Sequence, residues 1–372
     1  MNNVIEYLRW RGDILLKDHP LCEADYLVLA ALAYMPFDGI VTESHTTSVD
    51  LGTAAAIVEK RLLSGEENKL LMYDESVEFI KVILTSPRFL KVRVCGYENI
   101  FSIENQEQFS AVTFLVPDGY SERYFPVIAF RGTDATLVGW KEDFNMAYLF
   151  TVPAQLDAVK YIEKTANAFP DQPFSVCGHS KGGNLAVFGS AFCQREIQDR
   201  IFAVRNLDGP GFLEEVVEQE GFQRILGRVE TVVPSSSIVG ILLEHAEDFT
   251  VIKSYGSASF QHNPFMWEIY RDGYVVLESI TAGSKYLDKT LGNWIDSMTP
   301  EQTREFVNGI YRVLTSAGVY DVRELFKGRN LLMLIRELRK LDSDSSKILV
   351  DALSSFKREA QKNLPMLFEK KK

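Results

Sequence analysis

The stretch Phe174-Ser175-Val176-Cys177-Gly178-His179-Ser180-Lys181-Gly182-Gly183-Asn184-Leu185-Ala186 constrains this chain more than any other. Its apolar start reads as a short buried strand and Lys181 to about Arg195 reads as a helix, so Gly178-x-Ser180-x-Gly182 falls on the turn between them. A strand that reverses into a helix within a few residues brings two backbones together where a Cβ would clash, which is the use of the glycines. Ser180 is thereby pushed out at the strand end, beside the unpaired N–H groups of a helix start. A serine so placed is a candidate nucleophile, and the strand-turn-helix context separates it from a chance glycine-rich turn.

The neighbouring segments set the fold class. Residues 1–88 read as mostly helical, with helices at Tyr26–Met35, Thr53–Leu63 and Asp74–Thr85, and no chemistry is visible there. They read as a cover for a sheet or part of a lid. Strands follow at Lys91–Tyr97, Gln108–Val116 and Arg123–Phe130, the second closed by the turn Pro117-Asp118-Gly119. Helices then alternate with strands: helix Pro153–Ala168, strand Phe174–Cys177, helix Lys181–Arg195, and strands Ile201–Leu207 and Arg228–Val233. A helix at Ile238–His245 and a strand at Phe249–Lys253 end the series. Such alternation implies an α/β protein with a mostly parallel sheet. The expected division is a helical section at 1–88, an α/β core at 89–272 and a helical section at 273–372. The last has helices at Pro300–Ala317, Val322–Phe326, Asn330–Leu341 and Ser345–Asn363.

Composition narrows the function. With 372 residues, 46% of them hydrophobic, the chain can bury a full core. A net charge of −11 and the lack of a clustered basic face argue against nucleic acid. The terminal Lys370-Lys371-Lys372 reads as a solvated tail. The start has no secretory-signal pattern, and no apolar run reaches membrane-spanning length. The four cysteines, Cys22, Cys95, Cys177 and Cys193, are widely spaced and read as reduced thiols. These features lead us to expect a cytoplasmic protein with no transmembrane segment. No spacing suggests a metal or a cofactor. Oligomeric state is not readable.

Phe130-Arg131-Gly132-Thr133-Asp134, Gly139-Trp140-Lys141-Glu142-Asp143-Phe144-Asn145 and Gly178-His179-Ser180-Lys181-Gly182-Gly183-Asn184-Leu185-Ala186 together resemble the class 3 lipase branch of the α/β-hydrolase superfamily, in particular a poorly characterised bacterial family of that branch. The resemblance implies an α/β-hydrolase fold, a mostly parallel central sheet with helices on both faces. It also implies an esterase-like or lipase-like site acting on a small-molecule or lipid ester, with Ser180 as nucleophile. Such sites take oxyanion donors from the loop after the strand ending at Phe130 and from the residue after the serine, here Thr133 and Lys181. Thr133 and Asp134 could equally serve only to cap the next helix. The Lys181 side chain reads as a solvated helix-start group, with pairing to an acidic substrate as the alternative. Trp140 and Asp143 read as packing and as a supporting hydrogen bond.

A serine hydroxyl needs a histidine base, and the histidine needs a carboxylate. Of five histidines, His262 follows the last strand in a loop, a few residues before Trp267 as in class 3 lipases. His179 reads as packing, His245 as solvated or capping within a helix, and His19 and His45 as surface residues. The acid is the open question. Class 3 lipases carry an aspartate after the strand equivalent to Arg228–Val233, and this chain has Pro234-Ser235-Ser236-Ser237 there. Asp208, at the end of the preceding strand, is either that acid or a turn residue of Asp208-Gly209-Pro210-Gly211. Were it a turn residue, Ser237 or a carbonyl would have to orient His262, and a noncatalytic ligand-binding or interaction protein becomes the alternative reading.

Overall fold

The protein is described by a computed structural model, which describes residues 1–65, 70, 72–117, 123–256, 258–321, 333, 334, 336, 337, 340 and 343–368. Eight strands form one sheet in chain order: β1 (Val49–Asp50), β2 (Arg93–Ser102), β3 (Glu107–Pro117), β4 (Tyr124–Phe130), β5 (Phe174–His179), β6 (Ile201–Leu207), β7 (Val229–Pro234) and β8 (Phe249–Ile252). β1 to β4 pair antiparallel, and β4 to β8 run parallel. This is an α/β-hydrolase fold. A small hairpin of β9 (Ile269–Tyr270) and β10 (Gly273–Tyr274) follows.

Right-handed crossovers between parallel strands laid down in one direction all fall on the same face. Helices α6 (Leu137–Asn145), α7 (Pro153–Ala168) and α8 (Lys181–Phe192) come from these crossovers, after α1 (Val4–Arg11), α2 (Glu23–Leu32), α3 (Leu51–Ser64), α4 (Tyr73–Leu84) and α5 (Pro87–Leu90). The opposite face would be left bare, and α1 to α4 cover it. Alternate residues of β4 divide between the two cores accordingly: Val127 and Ala129 pack under the N-terminal helices, Ile128 and Phe130 under α7 and α8. The largely apolar α2 suits this position, being buried from Ala24 to Leu32.

The C-terminal section packs mainly on itself. Helix Ala282–Asp296 lies against Ser343–Asn363, with Trp294 Nε1 donating to Ala352 O at 2.8 Å. Helix Pro300–Ser316 reaches α6, where Lys141 Nζ sits 4.5 Å from the Tyr311 ring centroid. The expected turn Asp118-Gly119, helix Val322–Phe326 and the lysine tail lie outside the described residues, as does most of Asn330–Leu341.

Three expectations need correction. Ile238–His245 forms turns and bends rather than a helix. Phe212 and Glu244 exchange backbone hydrogen bonds and Leu243 takes a positive φ of 64°, so the segment is tied to the loop after β6 and cannot wind. His245 accordingly sits outside any helix, buried beside Glu247. His45 is 5% exposed, with Nε2 2.8 Å from Thr165 Oγ1. Helices Val4–Arg11 and Ala282–Asp296 fall within the two sections read as helical, though neither is among the helices named there.

Candidate active site

The turn at Ser180 has the strain its sequence implies. Ser180 adopts φ 60° and ψ −134°, a region nearly reserved for glycine and costing on the order of 1–3 kcal/mol. A Cβ on Gly178 would lie 2.1 Å from Gly182 O, and one on Gly182 would lie 2.1 Å from Phe130 O. Both glycines are therefore required by close backbone approach. Ser180 N donates to Leu207 O at 3.0 Å, tying the turn to the end of β6.

Three expected side chains meet there. His262 Nε2 lies 2.8 Å from Ser180 Oγ, and His262 Nδ1 lies 2.6 Å from Asp208 Oδ2. Asp208 is fully buried and takes φ 56°, a conformation aspartate tolerates. Its carboxylate does not serve its own turn: Gly209 N donates to Asn206 Oδ1 at 2.9 Å instead. Asp208 Oδ1 accepts from Ser237 Oγ at 2.5 Å. Ser237 Oγ in turn accepts from Gly240 N at 3.0 Å. Burial pushes the Asp208 carboxyl up from its ordinary range, against the opposing pull of His262, Ser237 and the Gly240 N–H. Ser237 thus touches the carboxylate and not the histidine. His262 is held in a short turn between β8 and Trp267, whose Nε1 donates to Gln261 O at 2.9 Å.

The expected oxyanion residues flank this group. Lys181 is the first residue of α8, so its N–H has no intrahelical acceptor. Thr133 follows β4, and its Oγ1 donates to Asp143 Oδ2 at 2.6 Å. That hydroxyl is committed, leaving the Thr133 N–H as the group free to donate. Burial raises the Asp143 carboxyl to about 6. Trp140, expected to pack, is 41% exposed.

The Lys181 side chain departs from expectation. It is buried, with Nζ 2.7 Å from Gln108 O, 3.0 Å from Gln108 Oε1 and 3.0 Å from Glu142 Oε2. Glu142 also accepts from Gln108 N at 3.0 Å and Ala154 N at 2.9 Å. The ammonium faces inward because this carboxylate is waiting for it, so it meets neither solvent nor substrate. Nothing in the spacing of Gln108, Glu142 and Lys181 pointed to this cluster. His179 packs as expected, its ring 5.7 Å from Trp267, though it also bonds Tyr34, a residue for which the sequence carried no signal.

Among the described residues, no group of three or more His, Cys, Asp or Glu is arranged to hold a metal ion. No helix among them is long and apolar enough to cross a membrane. A solvent-open cleft of about 470 Å³ lined by Asp50, Gly52, Leu90 and Tyr124 lies at the other end of the sheet from Ser180.

Among solved structures, the chain is similar to the native Rhizomucor miehei lipase propeptide complex, at 14% identity and a TM-score of 0.36, covering 65% of this chain and 75% of that one. It is also similar to M37 lipase, at 17% identity and a TM-score of 0.33, covering 58% of this chain and 68% of that one. A comparison with curated proteins found no match. The profile of the family described as Mbeg1-like matches residues 83–312, a span that holds Thr133, Ser180, Asp208 and His262, and the chain belongs to the Mbeg1-like family.

Proposed function

We propose that the protein is a serine hydrolase that cleaves a carboxylic ester, of lipase or esterase type, through an acyl-enzyme on Ser180. The observation that carries this reading is the unbroken chain from Ser180 Oγ through His262 to Asp208, at 2.8 Å and 2.6 Å, on a serine held in strained backbone. Ser180 Oγ attacks the acyl carbon while its proton passes to His262 Nε2. The negative charge on the carbonyl oxygen is met by the N–H groups of Lys181 and Thr133. His262 returns the proton to the departing alcohol, and water repeats the sequence on the acyl-enzyme. Asp208 holds the Nδ1–H tautomer and stabilises the imidazolium that forms.

The noncatalytic reading draws its motive from the missing carboxylate after β7 and from the long helical sections at both ends, which could serve partners. Asp208 offers a carboxylate in hydrogen-bond contact with His262 from the neighbouring strand end, which answers the first motive and favours the hydrolase reading. Three of the four cysteines are buried and all four are free, in keeping with a reducing compartment such as the cytoplasm. The test is labelling of the full chain by a fluorophosphonate, together with turnover of p-nitrophenyl esters of increasing acyl length. Labelling and hydrolysis that vanish in a folded Ser180→Ala variant support the reading. Equal labelling of parent and variant overturns it, and the chain-length profile assigns the acyl preference.

A further inference from the structure

We infer that Tyr34 and His179 form a positioning pair that sets the loop after β4 and the loop bearing His262 in register with Ser180. The inference rests on the serine-hydrolase reading above and names residues that reading does not use.

Tyr34 follows α2 in the N-terminal section and is buried. Its Oη lies 2.9 Å from His179 Nδ1 and faces the Gly132 backbone. A Cβ on Gly132 would lie 2.1 Å from that oxygen, so the loop approaches it as closely as a glycine allows. On the other side of the ring, His179 Nε2 lies 2.8 Å from the His262 carbonyl oxygen. A carbonyl only accepts, so Nε2 carries the proton and Nδ1 presents its lone pair. The Tyr34 hydroxyl therefore donates to Nδ1, with the His179 carbonyl oxygen a longer second acceptor at 3.4 Å.

The result is one directed chain, Tyr34 O–H to His179 Nδ1 and His179 Nε2–H to His262 O, with the Gly132 backbone closed against Tyr34 Oη. It links the residue before Thr133, the residue before Ser180 and the backbone of the proposed base. The His179 and His262 rings lie with centroids 4.7 Å apart, tilted by 34° to each other. A neutral His179 is the form that both bonds need, and burial, with His262 nearby, pushes its titration well below the ordinary histidine range. It therefore adds no charge beside the imidazolium forming on His262. An apolar pair would fill the same space without fixing direction, whereas a fully satisfied buried network sets geometry. Tyr34 lies outside residues 83–312, so the N-terminal section contributes to the site as well as covering the sheet.

The test compares the parent chain with Tyr34→Phe, His179→Phe and His179→Gln. Gln keeps an N–H that reaches the His262 carbonyl, and Phe does not. His179→Phe should hold KM and lower kcat on a short p-nitrophenyl ester by about 10²-fold, the scale of a catalytic group displaced by about 1 Å. The fluorophosphonate labelling rate should fall with kcat, Tyr34→Phe should lose less, and His179→Gln should recover most of the rate. The downfield proton resonance of the His262–Asp208 hydrogen bond should broaden or vanish in His179→Phe and return in His179→Gln. Parental kcat and an unchanged resonance in His179→Phe overturn the inference, as does a loss that Gln does not restore. If His179→Phe fails to fold, a parental rate in both remaining variants overturns it and a graded loss supports it. If the parent itself is not labelled, the hydrolase reading fails, while the resonance still reads whether the pair holds His262.

Discussion

In the proposed site, Asp208 and Ser237 divide a task that the class 3 lipase pattern gives to one residue. The carboxylate comes from the end of β6, and the position after β7 supplies a hydroxyl that donates to it at 2.5 Å. Asp208→Asn should keep KM and the fold while kcat falls by about 10⁴-fold, because the amide favours the wrong histidine tautomer. A variant within a few-fold of the parent would remove Asp208 from the mechanism. Ser237→Asp, which returns a carboxylate to the class 3 position, places it against one already fully buried. Two carboxylates at that separation cannot both ionise, so its activity should drop rather than rise. Steady-state kinetics of the two variants side by side separate these outcomes. The aspartate was visible in the sequence, but its role was not. The choice between turn and acid depended on Asn206 closing the turn, a contact decided by side-chain direction.

At the scale of elements, α6 and α8 are joined by the Lys181–Glu142 ion pair, with both side chains at 1% exposure or less. Burying two charges is costly, and the network tolerates it because Glu142 and Lys181 have each acquired three partners. Glu142→Ala leaves an unpaired ammonium inside the protein and should lower unfolding stability by about 3–5 kcal/mol. Glu142→Leu combined with Lys181→Met should lose much less than the single change. Urea denaturation of both variants reads the difference, and a double variant no better than the single would show that the pair is not what holds the helices. The same pair carries the helix bearing Asp143 and the elbow together. Helix and strand periods were legible for the core elements. The 238–245 segment misled because its apolar residues serve a loop tied to the β6 end, a tertiary demand that local pattern does not encode.

For the whole molecule, the sequential strand order places the crossover helices on one face and leaves the other to the N-terminal section. That arrangement buries His45 and His179 as neutral rings. Burial, with Lys164 nearby, pushes His45 down to about 4, and His179 lies well below its ordinary value. The unfolded chain binds protons at these positions from about pH 6.5, whereas the folded chain binds them only at lower pH. The contribution of these two rings is therefore fully present above pH 6.5 and is lost as pH falls toward 4, with His45 accounting for up to about 3 kcal/mol. Asp143, raised to about 6, works in the opposite direction over the same range, so the urea midpoint of the parent should lose more between pH 7.5 and 4.5 than that of His45→Gln, and an equal loss in both would contradict the buried neutral state.

The sequence alone determined the elbow, the α/β alternation and the candidates Ser180, His262 and Asp208. Each of these depends on local requirements: glycines where backbones touch, apolar runs of strand length, and polar residues at strand ends. Tertiary structure alone decided which carboxylate faces His262, why Lys181 turns inward, and that Tyr34 bridges two loops of the site. Those outcomes depend on the direction of a few polar side chains brought together from 29 to 145 residues apart, and the cost of leaving any of them unpaired in a buried site selects one arrangement.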